Sequence, residues 1–121
     1  MDKQKNTLPV LDVSCALAAM GGDKNVYRQT VSKYLEIIPR LLQAMDTAFF
    51  EDDRMTVRNH AHMIKSSSRT IGGMLLGEIA EFLECQCETA RGEVIEDSLR
   101  ELHWLFTEVS RLFLSLGYGD L

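Results

Sequence analysis

Residues Tyr27 to Ala48 read YRQTVSKYLEIIPRLLQAMDTA. Apolar side chains return at Tyr27, Val31, Tyr34, Ile38, Leu41, Met45 and Ala48, in steps of three and four. That is the period of an α-helix with one face turned to a core, whereas a strand would alternate at every second residue. Pro39 falls inside the stripe. Proline has no amide hydrogen to donate and its ring crowds the preceding turn, yet the stripe keeps its phase across it. The spacing therefore predicts a kinked helix continuing to about Phe50, not a chain reversal.

The same rhythm extends in both directions. Upstream, Leu8 to Val13 leads into a helix of about two turns that Gly21 and Gly22 stop, because glycine accepts the left-handed cap conformation; Asp23 then stands where the long helix needs an N-cap. Downstream, Asp53 is the cap expected for a third helix, which loosens at Gly72 and Gly73. A fourth, from Met74 to about Thr89, gathers Leu76, Ala80, Leu83 and Cys87 on one side, broadened by Leu75, Ile79 and Phe82. Arg91 and Gly92 mark a turn. The last helix carries Ile95, Leu99, Leu102, Phe106, Val109, Phe113 and Leu116 before the tail GYGD. Four long helices with short connections predict an all-α antiparallel four-helix bundle with a short additional N-terminal helix over one end. We expect one domain over residues 1–121, with a polar tail at about 1–7.

Composition narrows the function. Hydrophobic residues make up 45% of the 121 and charged residues 26%, enough apolar matter for a packed core. The formal charge of −5 lacks the basic surface of a general nucleic-acid binder. No apolar run approaches the roughly 18 residues of a membrane span, and MDKQKNTLPV lacks the apolar stretch of a signal peptide. Cys15, Cys85 and Cys87 form an odd set without a zinc-type spacing, which favours reduced thiols in a cytoplasmic setting.

Against that acidic background stands a basic run, RNHAHMIKSSSR, Arg58 to Arg69. On a helix, Arg58, Asn59, Lys65, Ser66 and Arg69 fall within roughly 60° of His62. Val57, Ile64 and Ile71, flanked by Ala61 and Ser68, occupy the opposite side, so the helix can bury that side and show His62 to solvent. His60, two residues away, points nearer the apolar side and is expected at the core edge, held by a hydrogen bond; its divergence from His62 argues against a shared metal. His103, between Leu102 and Trp104, is expected at a structural boundary. Ser67 and Ser68 are read as close-packing residues, since nothing is spaced to make a serine triad with them.

The stretch AHMIKSSSRTIGGMLLGEIAEFLE resembles the signature of histidine-containing phosphotransfer domains: Ala61 and His62, then Ile64 and Lys65, the small Ser67 and Ser68, Ile71 with Gly72 and Gly73, Leu76, and Leu83 with Glu84. LAAMGGDKNVYRQTV ahead of it, Pro39 and Asp53 extend the likeness over most of the chain. One departure is Ser66, which stands where the family most often has glycine; serine is nearly as small and can donate a hydrogen bond, but it alters the fit to a partner. The resemblance implies that His62 accepts a phosphoryl group from the aspartyl phosphate of a response-regulator receiver domain, or passes one on. It also implies that Lys65 offsets the phosphoryl charge while Arg58, Asn59, Ser66 and Arg69 face the receiver, with Ala18, Ala19 and Met20 contributing apolar surface. No cofactor is expected on this chain; Mg2+ is expected on the receiver. A hybrid sensor kinase is a further expected partner, and the chain is expected cytoplasmic, alone or within a membrane-tethered multidomain kinase. No nucleotide-binding motif is present, so the expectation is a phosphotransfer intermediate rather than an autonomous kinase. Two other readings stand beside it. One is a four-helix adaptor that never uses His62; the other is the phosphoacceptor segment of a sensor histidine kinase. The latter normally completes its bundle with a second chain, whereas four long helices here point to a monomer.

Overall fold

A computed structural model describes residues 8–118. It consists of α1 (Val13–Ala19), α2 (Lys24–Phe50), α3 (Arg54–Ile71), α4 (Met74–Gln86) and α5 (Gly92–Ser115), with no strand among the described residues. The expected polar tail at 1–7 and the end of the GYGD tail lie outside them.

The helix starts follow the expected chemistry. Asp23 accepts hydrogen bonds from the amides of Asn25 and Val26, and Asp53 accepts from the amide and hydroxyl of Thr56, at 3.2 and 2.7 Å. Each supplies an acceptor for first-turn amides that have no partner inside the helix. α2 runs unbroken through Pro39. Its buried stripe is Tyr27, Val31, Tyr34, Ile38, Leu42, Met45 and Ala48, so Leu42 takes the place expected for Leu41. The two leucines border the same stripe, and Leu42 faces Phe106 of α5 across a shared cavity.

Contacts along the chain fix an antiparallel bundle. Tyr27 donates its hydroxyl to the Ile71 carbonyl, and Tyr34 shares a 2.8 Å hydrogen bond with Ser68, so α2 and α3 run in opposite directions. Asp46 meets His103, and Arg28 reaches the Gly117 carbonyl, pairing α2 with α5 in the same sense. α1 packs against α2 and α3, with the Asp12 amide hydrogen-bonded to the Gly72 carbonyl at 2.8 Å. Gly72 has φ of 92°, and a Cβ there would collide with the Asp12 carbonyl oxygen. Only glycine serves both the left-handed turn and the close approach of the segment before α1.

α4 ends at Gln86, short of Thr89. The Arg54 guanidinium donates to the carbonyls of Cys87 and Ala90, giving the chain leaving α4 partners other than a further helical turn. Phe82 is 46% exposed and does not broaden the core side as expected. In α5, Leu105 is buried where Phe106 was expected, while Phe106 is half-buried against Tyr34 with ring centroids 6.0 Å apart. Leu116 is exposed beyond the last turn; Tyr118 covers Tyr27 and Phe113 instead, edge-on, beneath the Arg28 guanidinium. No helix of the described residues is long and apolar enough to cross a membrane.

Candidate functional site

The seam between α3 and α4 carries the site. α3 buries Val57, Ala61, Ile64, Ser68 and Ile71, and this apolar anchoring turns the opposite positions outward. His62 is 58% exposed. Its Nδ1 lies 2.8 Å from Glu84 Oε2, and because a carboxylate can only accept, Nδ1–H is the donor. In the neutral ring this leaves the lone pair on Nε2. Lys65 Nζ lies 2.7 Å from the other oxygen, Glu84 Oε1. One carboxylate thus holds both the imidazole and the ammonium, and Lys65 and Glu84 are each only 19% exposed. The close Lys65 ammonium, first, and the hydrogen bond from His62 hold the Glu84 carboxyl below its ordinary pKa of 4.5, against the opposing effect of desolvation.

The pairing continues along the seam. Arg58 lies 3.9 Å from Glu88, and Arg69 binds Glu81 with Glu78 at 3.8 Å. Proceeding along α3 from Arg58 to Arg69, the partners run backwards from Glu88, just past the end of α4, to Glu78 near its start, as antiparallel neighbours must. The hydrogen bond from Arg69 lowers the Glu81 pKa as well. Arg69 reaches its partners because Gly77 leaves a shelf; a Cβ at that position would lie 2.8 Å from Arg69 Cγ. Beside the ladder is an open depression of about 390 Å³ lined by Arg58, Lys65, Glu84, Cys85 and Glu88.

The expected site residues therefore share one face, but the three cations on it are each engaged by an acid of α4 or of the turn that follows it. Asn59 and Ser66 are exposed. Ala18 and Ala19 are exposed on α1 while Met20 is half-buried against the core. Ser68 is fully buried and bonded to Tyr34, in keeping with close packing. His60 is half-buried, as its position on the helix requires, but its Nδ1 is buried without a hydrogen-bond partner, contrary to the expected bond. His103 donates from Nε2 to Asp46 across the α2–α5 seam at 2.9 Å. Glu84 is the residue the sequence left without a role, although it closes the quoted signature. A signal was available: Glu78, Glu81, Glu84 and Glu88 repeat at three and four, the steps that also separate Arg58, His62, Lys65 and Arg69 on α3.

α3 thus presents the His62 imidazole outward, tethered through Nδ1 and with the Lys65 ammonium on the same carboxylate. A family model, the Hpt domain, matches residues 29–112. That is well over half of the chain, and the chain belongs to the Hpt domain family. Membership gives it a phosphotransfer-carrier role in two-component signalling, where Hpt domains interact with receiver domains in phosphorelays. No curated protein and no solved structure matches the chain.

Proposed function

We propose that His62 is the phosphoacceptor, and that Nε2 takes the phosphoryl group from the aspartyl phosphate of a receiver domain and returns it to a receiver. The observation that carries this is the hydrogen bond from His62 Nδ1 to Glu84. It fixes the ring and its tautomer so that the unprotonated nitrogen is Nε2, on a side chain that is mostly exposed. In the transfer, the Nε2 lone pair attacks phosphorus, the Nε2–P bond forms as the P–O bond to aspartate breaks, and that bond's electron pair stays on the departing carboxylate. Nδ1 keeps its proton, and the imidazolium so formed faces the negative charge of Glu84. The return transfer retraces these steps. Lys65 supplies positive charge beside the phosphoryl oxygens, since in such transfers the protein mainly positions groups and offsets charge. Exposed Asn59 and Ser66, with Arg58 and Arg69, form the surface the receiver meets. The receiver brings its own magnesium site.

Incubation with a phosphorylated receiver domain tests the assignment. Acid-labile, base-stable phosphate should appear on the wild-type chain and be absent from His62→Gln with an unchanged far-ultraviolet circular dichroism spectrum. Equal labelling of the folded variant would remove His62 from the role.

A further inference from the structure

Glu84 does two things with one carboxylate, and loading of His62 separates them. Oε2 holds Nδ1 at 2.8 Å and Oε1 holds the Lys65 ammonium at 2.7 Å. The first contact suits both states of the carrier, because Nδ1 keeps its proton whether or not Nε2 carries phosphorus. The second does not. The ammonium shares the carboxylate that holds Nδ1, whereas the phosphoryl group is carried on Nε2. A dianionic phosphoryl group and a carboxylate are then rival acceptors for the same three N–H donors. Lys65, three residues beyond His62 on the same face of α3, can turn to either. Resting on the carrier role proposed above, we infer that Glu84 competes with the phosphoryl group for Lys65, so that the ammonium changes partner each time His62 is loaded and unloaded.

Such competition makes Glu84 a positioning residue that limits how firmly the phosphoryl group is held. A carrier that must give up its load gains from a nearby acceptor that takes the ammonium back. Glu84 is suited to this because its two oxygens are committed separately, so releasing Lys65 leaves the imidazole tethered. The neighbouring cations are not rivals for the task, since Arg58 and Arg69 sit against Glu88 and against Glu81 and Glu78.

A double-mutant cycle isolates the competition from the effect of Glu84 on the imidazolium. The wild type, Lys65→Met, Glu84→Gln and the double variant are phosphorylated with phosphoramidate, freed of donor, and followed by the loss of acid-labile phosphate. Glutamine keeps an acceptor for Nδ1 but no charge for Lys65. The factor by which Lys65→Met shortens the phosphate half-life should be about two- to tenfold larger when Glu84→Gln is also present than when Glu84 is intact. An equal factor would mean that the two residues act independently, and a smaller one that Glu84 holds Lys65 in place for the phosphoryl group; either overturns the competition. Both of those results leave the carrier role intact. Failure of the wild-type chain to take up any acid-labile phosphate would instead overturn that role, and this inference with it.

Discussion

Among the described residues two histidine–carboxylate pairs lie on opposite seams of one bundle, and they differ in the nitrogen each commits. His62 on α3 binds Glu84 through Nδ1, while His103 on α5 binds Asp46 through Nε2. The side chains are 58% and 45% exposed, so access to solvent alone does not separate them. The free nitrogen does. In its neutral form His62 keeps a lone pair on Nε2, at the far end of the ring, and His103 keeps one on Nδ1, next to its own backbone. A nucleophile needs reach as well as basicity, and only the first arrangement presents the lone pair to another protein. Their surroundings differ too: Lys65 shares the carboxylate of the first pair, whereas Asp46 and His103 border cavities whose other charged lining residues are Glu96 and Arg100.

The strongest way to break this comparison is to exchange the fates of the two rings. His62→Gln should lose all phosphohistidine, and His103→Gln should label like the wild type, measured as acid-labile phosphate after incubation with phosphoramidate. Labelling that followed His103 would reverse the assignment. Next in size is Lys65→Met, which keeps the aliphatic stem but removes the charge. Transfer from a phosphorylated receiver should slow by about ten- to a hundredfold, the scale of one lost electrostatic contact at a transition state. An unchanged single-turnover rate would leave Lys65 a purely structural partner of Glu84.

The pairs also rest on different foundations. Behind His62, on the buried side of α3, Ser68 shares its hydrogen bond with Tyr34, and burial pushes the Tyr34 pKa up. Tyr34→Phe leaves the Ser68 hydroxyl without a partner in a dry environment, which should cost about 1–3 kcal/mol in urea unfolding. Adding Ser68→Ala should restore part of that loss, because no polar group is then stranded; a purely additive double variant would show that the bond contributes little.

How much of this was legible in the sequence follows from the range of each interaction. Asp23 and Asp53 could be placed because a cap acts within three residues of itself. The apolar stripes could be placed because helical periodicity repeats over many turns. Single positions failed where two adjacent apolar residues border one stripe, as at Leu41 and Leu42 or Leu105 and Phe106; a period of 3.6 admits either, and the facing helix decides. Phe82 failed similarly, its apolar character placing it in a face that the packing of α4 leaves at the rim. The outward set on α3 was also visible, since His62 and its neighbours share one helix. Their engagement was not. Whether Lys65 meets Glu81, Glu84 or Glu88 depends on how far α4 slides along α3, and that register is set by the turn at Gly72, whose φ of 92° and contact with Asp12 are tertiary facts. A basic run in the sequence therefore became a ladder of neutralised pairs.

A smaller effect sharpens the contrast through pH. Glu84 has a lowered pKa, owing first to Lys65, so its folded form favours the carboxylate more than the unfolded chain does. The resulting stability is present above the ordinary value of 4.5 and is lost as pH falls through the lowered folded value. Glu84→Gln should consequently show a shallower loss of stability in that acid window, read from urea midpoints at successive pH values. An unchanged acid limb would place the linkage on other carboxylates, such as Asp53 and Glu81, whose pKa values are also lowered.

The smallest effect belongs to the second pair. Asp46 and His103 are both nearly half exposed, and an ion pair or hydrogen bond in that setting competes with water for each partner. His103→Gln should change unfolding stability by only about 0.2–1 kcal/mol. This modest figure matters because the geometry, taken alone, matches the first pair closely, at 2.9 against 2.8 Å. If distance governed importance, the two substitutions would be equally damaging to the fold or to transfer. A loss well above ~1 kcal/mol at His103 would show that the α2–α5 seam depends on its polar bar as α3 depends on Tyr34 and Ser68. A small loss, with labelling intact, would locate the functional difference in the nitrogen left free and in the ammonium that only Glu84 also holds.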